Sequence, residues 1–212
     1  MTAGDVSAWD DLFAKELIPT VLGLVLDAWA QIQKPTDDEH EDETSTHLYC
    51  AMLTGKDRNR HPFLIQIQDV EVDMDLMKIS GRKDIAFFPS LNDEDIYFCL
   101  EAKRLNAVVG GVSKSLADEY VKNGMQRFVD AKYSKFVRHG GMLGYVLDGD
   151  VGRAMKNVAK NISANHQALL MDPPGTWMPS STRPSDPHTK ESGHHRARES
   201  VVFRIHHLFV AK

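Results

Sequence analysis

Asp84, Glu101 and Lys103 are the side chains whose types and spacing suit a reaction. Glu101 and Lys103 stand two residues apart, so on a strand they project from one face. Asp84 lies 17 residues earlier, on a short stretch stopped by Pro89. The polar run Leu91 to Asp95 between them reads as a hairpin loop. If the two strands pair, Asp84 comes to lie beside Glu101. Two ionised carboxylates repel, and a divalent cation with a taste for hard oxygen ligands relieves that repulsion. Asp84 and Glu101, with the carbonyl of Ala102, make a donor set for Mg²⁺ or Mn²⁺. Such an ion polarises a phosphate and acidifies a bound water. Lys103 is then placed to orient that water or to offset charge gathering on the phosphate. The chemistry such a set would serve is metal-assisted attack of water on a phosphate.

Glu-x-Lys alone carries little information, because solvated strands are rich in it. Context supplies the rest. The residues before it, Ile96, Phe98 and Leu100, alternate as a buried strand does. A helix expected over about Leu116 to Phe136 follows, with Val121, Met125, Phe128 and Val129 on one face. Gly140-Gly141 reads as its end, and Met142 to Leu147 as the next strand. Before the site, a helix is expected from about Trp9 to Gln33, kinked or split by Pro19. A second helix carries Thr44, Leu48, Ala51 and Met52 on one face and ends near Gly55. Phe63 to Val72 is a strand with a phase change at Asp69, and Gly81 marks a turn. Gly152 to Leu170 is a last helix. Pro173 to Ser200, rich in Pro, Ser, Thr, His and Gly, is a long loop or flexible segment. Val201 to Val210 returns to strand. The 212 residues suit one domain.

An Asp, a variable hairpin and then Glu-x-Lys on an apolar strand resembles the signature of the PD-(D/E)XK, or restriction-endonuclease-like, nuclease superfamily. Gly81-Arg82-Lys83-Asp84-Ile85 stands where the family has a Pro-Asp dipeptide, and the likeness extends over about residues 41–150. The resemblance implies an α/β fold whose central mixed sheet has four to five strands and is flanked by helices. It implies Asp84, Glu101 and Lys103 as catalytic residues, with Mg²⁺ or Mn²⁺ held by Asp84 and Glu101. A further metal-binding acid often comes from the first core helix, and Glu41 and Glu43 are the candidates. Helical phase sets Glu41 with Thr44 and Leu48 but Glu43 with His47, which leaves both open. Defence of a bacterial cytoplasm against foreign DNA is a role the family often implies.

The formal net charge of −5 hides an uneven distribution. Residues 1–45 hold 11 acids and 2 bases, whereas Glu101 to Gly140 hold 8 bases and 4 acids. A phosphate-binding face therefore fits on an acidic chain. Arg104, Lys122, Arg127 and Lys132 are its candidates, Arg127 first among them, and Tyr120 or Tyr133 could stack on a base. Each of these also reads as the wet side of a core helix. Tyr145 reads as packing.

Late in the chain, His188, His194, His195, His206 and His207 gather. His194-His195-Arg196 in a loop would suit phosphate, but no paired Cys or spaced His completes a zinc site. One of His206 and His207 reads as a hydrogen-bonded core residue. Cys50 and Cys99 both sit in apolar contexts and read as buried thiols in a reducing cytosol. No apolar run is long enough for a membrane span, and Met1 to Asp10 lacks a secretory pattern.

The expected activity is Mg²⁺- or Mn²⁺-dependent cleavage of DNA, with RNA second, by a homodimer or with a partner subunit. The rival is a non-catalytic nuclease-fold protein that binds nucleic acid or serves as a scaffold.

Overall fold

The computed structural model describes residues 13, 15–36, 39–57, 59–73, 77–89, 96–134, 137–196 and 201–212. Their frame is a seven-stranded mixed sheet in the order β1-β2-β3-β6-β9-β8-β7. The strands are β1 (Phe63–Asp73), β2 (Lys78–Pro89), β3 (Phe98–Leu105), β6 (His139–Val146), β7 (Met178–Pro179), β8 (Thr189–His194) and β9 (Phe203–Ala211). A separate ribbon joins β4 (Ala107–Val109) to β5 (Val112–Lys114). Strands β1, β2 and β3 form an antiparallel meander. Strand β6 lies parallel between β3 and β9, and β8 and β7 continue antiparallel. The expectation of a mixed α/β sheet flanked by helices holds. The expected four to five strands are too few, because β7 and β8 extend the sheet.

Helices cover both faces. Helices α1 (Ile18–Gln31) and α2 (Glu41–Gly55) bury Val21, Leu22, Val25, Leu48 and Met52 in one core layer, with Phe87, Phe98, Leu100, Leu143 and Leu208 from the sheet. The opposite layer packs the segment 117–129 and α5 (Val151–Ala164) against Cys99, Met142, Phe203 and Ile205. Segment 117–129 is one turn of α-helix α3 (Ala117–Glu119), a π-helical stretch Tyr120–Met125 and the turn α4 (Gln126–Val129). Val121, Met125, Phe128 and Val129 are buried on it, as the periodicity requires. It stops at Val129, earlier than expected. Ala131 and Ser134 then adopt left-handed backbone, with φ of 53° and 56°.

Glycines at two places lie inside strands instead of at turns or helix ends. Gly140-Gly141 does not end the helix but lies inside β6. A Cβ at Gly141 would come within 2.4 Å of Leu100 Cδ2, so the residue permits a close approach of strand and core. Gly81 likewise lies within β2, where a Cβ would sit 2.6 Å from the Tyr133 ring. Other boundaries shift for local reasons. Pro19 falls in the first turn of α1, where its missing N–H costs nothing, so it starts the helix instead of kinking it. A ₃₁₀ turn, Lys15–Leu17, precedes it; the rest of the expected N-terminal extension, residues 9–12 and 14, lies outside the described residues. In β1 the register shifts between Glu71 and Val72, and Gln68 carries the positive φ of 51°. The loop Leu91 to Asp95 is not among the described residues.

The segment 173–200 is not a loop throughout. Strand β8 pairs with β9 along its whole length, and Thr189, Glu191, Ser192, His194 and Arg196 are buried. Polar residues hid this strand from a reading based on apolar alternation. Residues 197–200 lie outside the description. Cys50 is exposed and Cys99 buried, so only one of the two expected buried thiols is one. No helix among the described residues is long and apolar enough to cross a membrane.

Candidate active site

The β2–β3 pairing runs from Phe87–Phe98 to Ile85–Leu100 and stops there. Asp84 falls where the strands part, and its Oδ2 accepts the Ala102 N–H at 2.7 Å. The carboxylate thus takes a backbone donor that the strand ladder leaves free. On the other side, β3 continues in parallel register with β6 from Leu100–Gly141 to Leu105–Val146, which fixes Glu101 and Lys103 against β6 just beyond the end of the β2 pairing.

Glu101 has no solvent-exposed side-chain surface. Its Oε1 takes two cations, Lys103 Nζ at 2.9 Å and Arg127 Nη1 at 2.8 Å. Its Oε2 is buried and has no hydrogen-bond partner among the described residues. Burying a carboxylate oxygen without a donor is costly. Lys103 also donates to Glu41 Oε1 at 2.9 Å and to the Ala102 carbonyl at 2.6 Å. Glu41 is the first residue of α2, and its Oε2 accepts the Arg104 N–H at 3.0 Å. The ambiguity between Glu41 and Glu43 is resolved geometrically. Glu41 joins the cluster, while Glu43 turns back to accept the His40 N–H at 3.1 Å as a helix cap.

Charges in this cluster shape one another. Burial first, and then the charge of Glu101, push the Asp84 carboxyl up to about 7. Burial also raises Glu101, against the pull of Lys103 and Arg127. For Lys103 burial works against the ammonium, but the carboxylates of Glu101, Glu41 and Asp84 overcome it and hold the group above its ordinary value. The site therefore carries a lasting cation beside acids that ionise reluctantly. Among the described residues no set of three or more His, Cys, Asp or Glu side chains converges as an ion-binding group. Glu41 meets Glu101 by way of Lys103.

The helix after β3 delivers Arg127 to the acids instead of to solvent, which its sequence position did not reveal. Tyr133 holds it there: the Tyr133 hydroxyl accepts from Arg127 Nη1 at 2.8 Å and donates to the Arg82 carbonyl. Tyr120 and Tyr133 are both buried, so neither is presented as a platform for a base. Lys122 and Lys132 are exposed, near Asp118 and Asp130 respectively. Arg104 is half-buried on β3. Tyr145 is packing, as expected: it stacks on Trp29 and shares a hydrogen bond with Ser45 Oγ at 3.0 Å.

Of the late histidines, His194, His206 and His207 are buried in structural contacts, while His188 and His195 are exposed. Ser192 Oγ lies 2.8 Å from both His194 Nε2 and His207 Nε2, and His207 Nδ1 meets the Tyr120 hydroxyl at 3.0 Å. His206 is also buried, 3.1 Å from His139. Arg196 is buried over the Phe203 ring and donates to the carbonyls of Phe128, Tyr133 and Ser134. The expected phosphate loop His194-His195-Arg196 is thus largely used up inside the fold. Compared with models of known families, with curated proteins and with solved structures, the chain matches none.

Proposed function

We propose that this chain is a metal-dependent nuclease of the PD-(D/E)XK type, acting on DNA. The observation that carries the reading is a buried Glu101 with Lys103 on its Oε1, Asp84 bonded to the adjacent Ala102 N–H, and an Oε2 that lacks a hydrogen-bond partner among the described residues. Element order supports it. Helix α2, the meander β1-β2-β3, a helical segment and the parallel strand β6 follow in the sequence expected of such a core.

The residues suit a small divalent ion, because a bare carboxylate oxygen in a dry wall is what a hard cation satisfies. Asp84 and Glu101 would hold Mg²⁺ or Mn²⁺, which when bound supplies an acidified water and a polarised phosphate. Lys103 keeps its proton and offsets the negative charge that grows on the phosphate. Glu41 fixes Lys103 through one oxygen and the backbone of Arg104 through the other, so the ammonium is oriented before substrate arrives. Lys122 and Lys132 offer charge to the backbone of the nucleic acid.

One observation favours a second reading. Lys103 and Arg127 already neutralise Glu101, and no set of three acids converges among the described residues. A nuclease-fold protein that binds nucleic acid without cutting it would have such a site. Cleavage of linear, circular and single-stranded DNA and of RNA, with Mg²⁺ or Mn²⁺, separates the two. Wild type should cut DNA, and Asp84→Ala and Lys103→Ala should each lose roughly 10²-fold or more while remaining folded. A folded wild type that binds DNA and Mn²⁺ but cuts nothing would remove the enzyme reading; preference for RNA would correct the substrate.

A further inference from the structure

Glu101 is shared by two cations that are held differently. Lys103 is 12 % exposed and tied to Glu41 and the Ala102 carbonyl as well. The Arg127 side chain is 38 % exposed, so it is the one with a way out to solvent. Its resting position is built in advance. Tyr133, which accepts from it, is buried, packs against Gly81, and has its own carbonyl held by Arg196 Nη2 at 3.0 Å.

Resting on the nuclease reading, we infer that Arg127 is a displaceable counter-ion, which occupies Glu101 in the free protein, competes there with the divalent metal, and moves to a phosphate of the nucleic acid when substrate enters. A guanidinium beside a carboxylate weakens that carboxylate for any second cation. It binds phosphate well through its planar fork. Substrate that draws Arg127 away therefore strengthens the metal site, and by linkage the metal strengthens substrate binding. The metal-binding carboxylate is kept neutralised until a phosphodiester is present.

The test is Mn²⁺ binding to the nucleic-acid-free protein at pH 8, by calorimetry or by the electron paramagnetic resonance of free Mn²⁺. Asp84→Asn should abolish binding and so mark the site. Arg127→Gln should bind Mn²⁺ tighter, by about three- to tenfold for the loss of one nearby charge. Arg127→Lys keeps the charge and should stay near wild type. Tyr133→Phe, which frees Arg127 without removing it, should tighten binding less and in the same direction. A phosphorothioate DNA duplex should tighten Mn²⁺ binding in wild type more than in Arg127→Gln, and in the absence of metal the duplex itself should bind Arg127→Gln more weakly. If Arg127→Gln binds Mn²⁺ no tighter than wild type while Asp84→Asn still abolishes binding, the counter-ion idea is overturned and the metal site stands. If wild type binds no Mn²⁺ with or without the duplex, the nuclease reading fails and the inference with it.

Discussion

Lys83 and Lys103 sit on neighbouring strands, both among acids, yet among the described residues only the cluster around Lys103 keeps a buried carboxylate oxygen without a hydrogen-bond partner. Lys83 is 3 % exposed, 2.7 Å from Asp69 and 2.8 Å from Glu71, and lies over the Tyr97 ring. Tyr97 donates to the same Glu71 oxygen at 2.9 Å. Among the described residues this network leaves no buried carboxylate oxygen without a partner, whereas Glu101 keeps one. The distinction separates these two lysine clusters where burial does not. It also gives a prediction. Removing one partner of a buried ion pair strands the others, so Lys83→Met should cost about 3 kcal/mol, the low end for such pairs because Asp69 and Glu71 are partly exposed. Urea unfolding measures it, and a loss below about 1 kcal/mol would show that the network contributes little. Glu-x-Lys on an apolar strand marks Lys103 in the sequence, but nothing in the neighbours of the two lysines distinguishes a satisfied cluster from an unsatisfied one.

At the scale of elements, the helix after β3 and the strand β6 set how tightly the site is held. The π-helical stretch Tyr120–Met125 brings Gly124 against Met142 and Lys103, where a Cβ would be 2.4 Å from Met142 Cε. Stretches of π-helix are frequent at functional sites. Gly141, one strand over, makes room for Leu100 and Phe98. A methyl group there overfills a dense core, so Gly141→Ala should lose about 1–3 kcal/mol and lower the thermal midpoint. An unchanged midpoint would mean that Leu100 simply swings aside. Sequence periodicity located this helix and its buried face, because a 3.6-residue repeat survives a wide turn. It could not show the close packing, since a glycine wanted for its missing side chain looks the same as one wanted for a turn.

Across the whole molecule, polar groups hold the far half of the sheet. Strand β8 enters beside β9 with a buried chain of Ser192, His194, His207 and Tyr120. Burial pushes His194 and His206 down to about 4, and His207 well below its ordinary value. An unfolded histidine titrates near 6.5. The unfolded chain therefore binds protons first as the pH falls, and stability that is complete above about 6.5 is lost progressively toward 4. Asp84, raised to about 7, has the opposite sign, since the folded state keeps its proton and this contribution fades as pH rises through 7. A difference measurement isolates the histidine. The stability advantage of wild type over His194→Gln should shrink as pH falls from 7 to 5, by up to about 1.4 kcal/mol per unit below 6.5. An advantage that does not change with pH would contradict the neutral, buried state of His194.

By itself the sequence determined the apolar segments that become β1, β2 and β3, the apolar faces of the helices and the pairing of Glu101 with Lys103 on one strand. Those depend on local repeats of two and 3.6 residues, which the chain carries wherever it is placed. Only the tertiary structure decided that Glu41 and not Glu43 meets Lys103, that Arg127 turns inward to Glu101, and that a polar segment becomes the buried strand β8. Each of these depends on contacts between residues far apart in the chain: Glu41 with β3, Arg127 with Glu101 and Tyr133, β8 with β9. A carboxylate or guanidinium can serve as cap, surface charge or buried partner with equal ease, and which it becomes is set by the donors and acceptors that packing brings within reach.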